Sequence, residues 1–307
     1  MNKFGVEQFL SKQYSFDRHI SEVAESLEKV LDDCLPQAQG YEKKLTQAMR
    51  YSMLNGGKRF RPFISVVSSE LFKQPRQRSL RVGAAIEMVH CYSLIHDDLP
   101  ALDNDDYRRG HLSCHKAFDE ATAILAGDGL LTQAFVVLSD KLTHPDSTIR
   151  ANLVLAMASA VGVRGMIAGQ MLDLIAEDQI LNEGEITRMQ MLKTGALIGL
   201  SSHLGGILGN ANDTVLATLK TYGESVGLAF QIADDLLDLE SSSIVLGKKV
   251  RKDQKAGKTT FVSLLGADRA RAYAFELVEN AVAILGEFGK EANPLRAAAY
   301  FAISRLN

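Results

Sequence analysis

A surplus of basic charge is the first thing this chain lacks. Its formal net charge is −3, whereas a nucleic-acid binder ordinarily carries an excess of Lys and Arg, so no nucleic-acid partner is expected. Cysteine is scarce: Cys34, Cys91 and Cys114 are odd in number and scattered, which excludes a disulfide framework and offers no zinc-type pair. The first ten residues, MNKFGVEQFL, lack the apolar core of a signal peptide. The longest apolar stretches, near 151–163 and 195–209, are short or broken by Gly, Ser and His. No membrane span is therefore expected, and a cytoplasmic location follows as the default. There are six prolines and no tryptophan, and alternation of Val, Ile and Thr is sparse, which argues against a sheet protein.

What is present is apolar spacing of three and four residues, as in Ile20, Val23, Leu27, Val30 and Leu31, repeated along nearly the whole length. The chain reads as all-α: a single large helical domain over 1–307, with residues 1–10 loosely held. Breaks are expected at Gly40, Gly56-Gly57, Gly127, Gly184 and Asn210 to Asn212. One helix is expected from about Leu80 to Asp98, stopped by Pro100.

That helix ends in the densest chemistry of the sequence. Asp97, Asp98, Asp103, Asp105 and Asp106 fall within ten residues, followed by Arg108 and Arg109. Two like charges about 4 Å apart repel by roughly 4 kcal/mol at an effective dielectric near 20, so such a cluster either spreads into water or holds a hard cation. The apolar run before it (Met88, Val89, Tyr92, Leu94, Ile95) is no solvated tail, and a metal site at a helix end is the starting reading. His90 and Asp97 share one face of the helix, with Glu87 and Ser93 beside it. Asp103 has to reach back by a bulge. The spacing does not fit a calcium loop of the EF-hand type.

Other segments carry cations or a second acidic set. Asn55 to Pro62, NGGKRFRP, puts Lys58, Arg59 and Arg61 beside two glycines, a composition suited to diphosphate but common also at helix ends. Gln231, Asp234, Asp235 and Asp238 fall at i, i+3, i+4 and i+7, a stripe of Gln and Asp on an otherwise apolar helix, which reads as a buried site facing positive charge. Lys193-Thr194-Gly195 interrupts a helical pattern: Lys193 fits a phosphate and Thr194 a cationic intermediate, or both are a cap and a salt bridge. Residues 241–261 hold Lys248, Lys249, Arg251, Lys252, Lys255 and Lys258 between glycines, as a basic loop able to cover phosphates would.

In order, GGKRFRP, DDLPALDNDDYRRG, KTG, FQIADDLLD and the GK and GKTT segments resemble the trans-type isoprenyl diphosphate synthases, in particular the bacterial farnesyl diphosphate synthases. The resemblance runs from about residue 20 to the end. It implies an all-α isoprenoid synthase fold with a central cavity, a homodimer, and an allylic diphosphate held through three Mg2+ ions. Asp97, Asp98 and Asp103 would bind metal on one wall, and Asp234, with Asp235 and Asp238 near it, on the facing wall. Arg108, Lys193, Lys248 and Lys258 match the clasp of the allylic diphosphate. Lys58, Arg61, His90 and Arg109, with the Gly57 backbone, match the isopentenyl diphosphate site. Thr194, the Lys193 carbonyl and Gln231 would face the allylic cation.

Tyr92, five before the first aspartate, matches the position that limits the growing tail, with Ser93 beside it, and a tyrosine there implies a C15 product. Geranyl or geranylgeranyl diphosphate is the alternative product. Terpene cyclases and head-to-head synthases are disfavoured by the GGKR segment, and a non-catalytic helical subunit by the complete charged sets. Arg251, Phe261, Val262 and the Ser241 to Ser243 run depart from the family pattern, in a region where loop closure and rate would feel it.

Overall fold

Side chains three and four residues apart stack on one helical face and can be buried together. In a computed structural model, residues 15–176, 179, 181–246 and 261–304 are described, with side chains of the long helix 213–246 as far as 239. The helices in order are α1 Phe16–Cys34, α2 Lys43–Met53, α3 Phe60–Glu70, α4 Arg76–Asp97, α5 Cys114–Ala117, α6 Glu120–Ser139, α7 Ser147–Val161, α8 Met166–Ile175 and α9 Glu183–Gln190. A π-helical turn, Met191–Gly195, leads into α10 Ala196–Leu208. Then come α11 Asp213–Leu246, α12 Phe261–Leu265, α13 Ala267–Ile284, a 3-10 segment Gly286–Ala292 and α14 Asn293–Ile303. Apart from the pair β1 Tyr107–Arg108 and β2 His111–Leu112, the described residues are helical or connecting. The all-α expectation holds. Residues 1–10, Lys248, Arg251 and Lys258 lie outside the described residues.

Contacts divide the chain into two compact units. The first holds Asp17–Leu155 with Ile207–Asn210. Its axis is α4, where Val82 to Val89 are buried on every side, as a helix surrounded by others must be. α4 packs chiefly on α6 and α3. Gly83 lets it approach Pro62, since a Cβ there would sit 3.3 Å from the proline ring. α1 buries Val23, Leu27, Val30 and Leu31.

The second unit holds Ala156–Gly206 and the described residues from Ala211 on, with Phe16. Its axis is α11, packed on α13, the π-turn and α14. Small residues set these approaches: a Cβ on Gly227 would lie 2.8 Å from the Gly195 Cα, and one on Gly223 2.6 Å from the Gly199 Cα. The buried Tyr222 hydroxyl donates to the Leu295 carbonyl at 2.7 Å.

Gly40, Gly56, Gly57 and Asn210 all have positive φ, as breaks or turns use. Gly127 does not break the chain. It lies inside α6, where a Cβ would be 2.2 Å from His96 Nε2, so it serves packing. Gly184 sits in the first turn of α9. By length and composition alone, Glu120–Ser139 and Ser147–Ile175 reach what a bilayer crossing requires, contrary to the expectation that every apolar stretch falls short. α6 buries Ala123, Ala126, Leu130, Ala134 and Leu138, while Ile124, Leu125 and Val136 on it are exposed.

Candidate active site

The acidic end of α4 is built by helix termination. Asp97 is the last helical residue and Asp98 the C-cap. The chain then turns through Pro100, and the Asp103 N–H donates to the Asp97 carbonyl at 2.9 Å. The backbone thus returns to Asp97 at Asp103. Asp98 is 2% exposed. Arg108 donates to its Oδ1 from Nε at 3.0 Å and also from Nη2. Burial pushes the Asp98 carboxyl up from its ordinary range, and Arg108 opposes that shift. Asp105 accepts from Arg108 at 3.2 Å, and Asp106 pairs with Lys116 at 2.9 Å. These two acids therefore tie the hairpin region together.

The hairpin turn splits the arginine pair. Arg109 and Gly110 both have positive φ, as a two-residue hairpin turn of the primed type requires. Arg108 thus serves the acids, while Arg109 donates to the Gly56 carbonyl and lies 3.6 Å from Glu87 Oε1. Gly57, at φ 125°, is held to glycine twice: by its backbone and by the Arg109 guanidinium, 2.7 Å from where a Cβ would be. Arg61 Nη1 lies 3.4 Å from His90 Nε2. Burial and then Arg61, Arg109, Arg59 and Arg108 hold the His90 imidazole well below its ordinary pKa, so it is neutral at pH 7. Lys58 is exposed on the same loop. Gly57, Lys58, Arg61, His90 and Arg109 are therefore brought into one neighbourhood.

Beneath them lies a network whose role the sequence did not disclose. Arg59, 2% exposed, donates to Glu87 Oε1 at 2.6 Å, to Glu28 Oε1 at 2.6 Å and to the Met53 carbonyl at 2.8 Å. The available signal was Glu87 itself: a carboxylate inside a run of buried residues needs a cation. Tyr92 is buried and meets the His96 ring edge-on with centroids 5.6 Å apart. Burial, then the nearby Asp97, pushes its phenol to about 12. Ser93 spends its hydroxyl on the His90 carbonyl at 2.9 Å.

In the second unit the π-turn carries the KTG triplet, and such wide turns recur at functional sites because they free backbone groups from the helical ladder. Lys193 Nζ donates to Asp173 Oδ2 at 2.6 Å. The Thr194 hydroxyl donates to Gln231 Oε1 at 2.8 Å. Gln231 Nε2 in turn donates to Asp235 Oδ1 at 3.0 Å, and Gln190 Nε2 to Asp235 Oδ2 at 2.9 Å. Burial raises the Asp235 carboxyl, and the two amides oppose the rise. The stripe is not uniformly buried: Gln231, Asp234 and Asp235 are half-buried and Asp238 is exposed. Phe261 and Val262 are core residues of α12, with Phe261 6.1 Å from the Tyr273 ring.

For a metal, the donor set is hard carboxylate oxygen, which suits Mg2+. Among the described residues no group of three or more acids, His or Cys is preassembled for an ion.

Comparison with known proteins agrees with this chemistry. Residues 42–292 match the family model described as polyprenyl synthetase. A dimethylallyltranstransferase of Fischerella ambigua is 41% identical over 96% of this chain and 85% of its own length. A farnesyl diphosphate synthase of Escherichia coli is 41% identical over 85% of this chain and 89% of its own. The apo crystal structure of an FPP/GFPP synthase from Zymomonas mobilis superposes with a TM-score of 0.86 at 43% identity, covering 94% of this chain and 98% of that one. The family generally uses Mg2+. The chain therefore belongs to the polyprenyl synthetase family and is a prenyltransferase of trans-prenyl chain elongation.

Proposed function

We propose that the chain condenses isopentenyl diphosphate head-to-tail with dimethylallyl and then geranyl diphosphate, with farnesyl diphosphate as the product. The observation that carries this reading is the split at the end of α4. Arg108 stays with the acids Asp98 and Asp105, while Arg61, His90 and Arg109 gather beside the exposed Lys58 on the Gly56-Gly57 loop. Two diphosphates need two such chemistries, one metal-dependent and one purely cationic.

Mg2+, three ions on this reading, supplies charge neutralisation of the allylic leaving group when bound. Asp97, Asp98, Asp103 and Asp234 are its assigned ligands, with Asp235 and Asp238 near it. Arg108, Lys193, Lys248 and Lys258 hold the allylic diphosphate. Its C–O bond breaks, the pair of electrons leaves with diphosphate, and an allylic carbocation remains. The Thr194 oxygen, the Lys193 carbonyl and Gln231 stabilise that cation with dipoles and without a nucleophile strong enough to trap it. Lys58, Arg61, His90, Arg109 and the Gly57 backbone hold isopentenyl diphosphate, whose double bond attacks the cation. The new C–C bond forms, and a C2 proton is lost to the departed diphosphate.

Tyr92 is the assigned floor of the tail cavity, with Ser93 beside it, and its bulk supports C15. The exposed apolar residues Ile124, Leu125 and Val136 of α6 support association with a second copy as a homodimer. A cytoplasmic location is part of the same reading. The test is incubation of the protein with isopentenyl diphosphate and C5, C10 or C15 allylic diphosphates, with and without Mg2+, followed by mass spectrometry of the products. Mg2+-dependent growth ending at C15 is expected, and growth that runs on to C20 overturns the farnesyl assignment.

A further inference from the structure

We propose that Gln190 and Asp235 are positioning residues that fix the direction of the Thr194–Gln231 hydrogen bond, leaving the Thr194 oxygen lone pairs for the allylic cation. The inference rests on the chain-elongation reading above and concerns one residue that reading leaves without a role, Gln190, and one it places only near the metal, Asp235.

An ionised carboxylate can only accept, an amide side chain donates at one end and accepts at the other, and a hydroxyl has one proton. Both oxygens of Asp235 are occupied by amide N–H groups, Oδ2 by Gln190 at 2.9 Å and Oδ1 by Gln231 at 3.0 Å. With its nitrogen end committed to Asp235, Gln231 presents Oε1 at its other end. Thr194 must therefore donate, and it does so at 2.8 Å. Its proton is spent inside the protein, and among the described residues no donor takes up its lone pairs. Were Gln231 free to turn over, Thr194 would accept from it and present its proton to a developing positive charge, the wrong polarity for catalysis of an ionisation.

Two features mark this as a built arrangement. Gln190 is the last residue of α9, directly before the π-turn that carries Thr194, and it is 6% exposed. Its Oε1 is buried with no hydrogen-bond partner among the described residues. A buried carbonyl without a partner destabilises a fold, and an apolar side chain would fill the same space without that penalty. The position therefore uses the amide N–H, and the group receiving it is Asp235. The second feature is the close approach of Gly195 to Gly227, where a Cβ would lie 2.8 Å from the facing Cα; it brings the π-turn against α11 at the level of Gln231.

The experiment uses the whole enzyme with Gln190→Met, of similar size, and with Asp235→Asn, which can offer an N–H to Gln231 and turn the chain of hydrogen bonds over. In Gln190→Met, kcat should fall about tenfold while KM for each diphosphate stays within about twofold. The Mg2+ concentration giving half-maximal rate should not change. The rate ratio between geranyl diphosphate and its 2-fluoro analogue should widen, because a less stabilised cation is more sensitive to an electron-withdrawing group. Asp235→Asn should lose more in kcat, again at unchanged Mg2+ demand. A Gln190→Met enzyme with wild-type kcat and fluoro ratio overturns the proposal. So does a loss shared equally by both substrates, which would mark a structural role, or a raised Mg2+ requirement in Asp235→Asn. Absence of Mg2+-dependent turnover in the unaltered protein would instead overturn the chain-elongation reading itself.

Discussion

Replacing Arg59 with Met tests how the buried ion network serves the cationic site. The guanidinium is 1% exposed and lies 2.6 Å from Glu87, itself 3% exposed, and 2.6 Å from Glu28, which is 38% exposed. Glu28 loses little, since water replaces its partner. Glu87 becomes a buried anion without its main cation, a change that costs about 3–5 kcal/mol. At ~2.1 cal/mol/K of unfolding entropy per residue, that lowers Tm by about 5–8 °C. Arg109 remains, 3.6 Å from Glu87. It should close on Glu87 and withdraw from isopentenyl diphosphate. A charge-assisted contact of ~1.5–3 kcal/mol is lost, so KM for isopentenyl diphosphate rises about 10- to 160-fold, while KM for geranyl diphosphate is unchanged. Steady-state kinetics with each substrate varied in turn, beside thermal denaturation, reads both effects. The double variant Arg59→Met/Glu87→Met removes the stranded charge and should regain most of the stability, to within ~1–2 kcal/mol. It should not regain all of the KM, because Arg109 keeps the Gly56 carbonyl but has lost Glu87. If KM for isopentenyl diphosphate does not move in Arg59→Met, the network is structural and the reasoning fails.

Three further outcomes follow from the same geometry. Tyr92→Ala should lengthen the product beyond C15 by mass spectrometry, and an unchanged ceiling would remove Tyr92 as the floor. His90 has its pKa lowered by burial and by Arg61, Arg109, Arg59 and Arg108, so between the unfolded value near 6.5 and the lower folded value the unfolded chain binds the extra proton. Stability should rise with pH through that window and be lost as pH falls through it; His90→Asn should flatten this acid limb of Tm against pH. Gly127→Ala should displace His96 from its 3.0 Å contact with the Ile124 carbonyl and cost about 1–3 kcal/mol in urea unfolding.

Much of the fold is written in local spacing. The periodic run from Ile20 to Leu31 became α1 because burial needs only one apolar face, and the helix ending at Asp97 stopped where Pro100 forbids continuation. Gly127 was misread because a glycine that opens a turn and one that admits a neighbouring ring look alike until the neighbour, His96, is known. Among site residues, the acid and cation sets stand out because like charges cluster against expectation. Their fine assignment does not: Arg108 and Arg109 are adjacent in sequence, yet the positive φ of Arg109 and Gly110 sends one to Asp98 and the other to Gly56. Gln190 gave no signal, since a lone glutamine between two methionines resembles a surface residue. Its partner Asp235 lies 45 positions away, and pairing over such a distance is a property of packing.

On the proposed division of labour, one chain handles two diphosphates by different means, carboxylates with metal for one and cations alone for the other. Titration calorimetry with and without Mg2+ addresses it, using isopentenyl diphosphate and a thio analogue of geranyl diphosphate that cannot ionise. Isopentenyl diphosphate should bind with chelator present, weakened by Arg61→Met, while the allylic analogue should bind only when Mg2+ is supplied. Equal dependence of both ligands on Mg2+, or of neither, would contradict it.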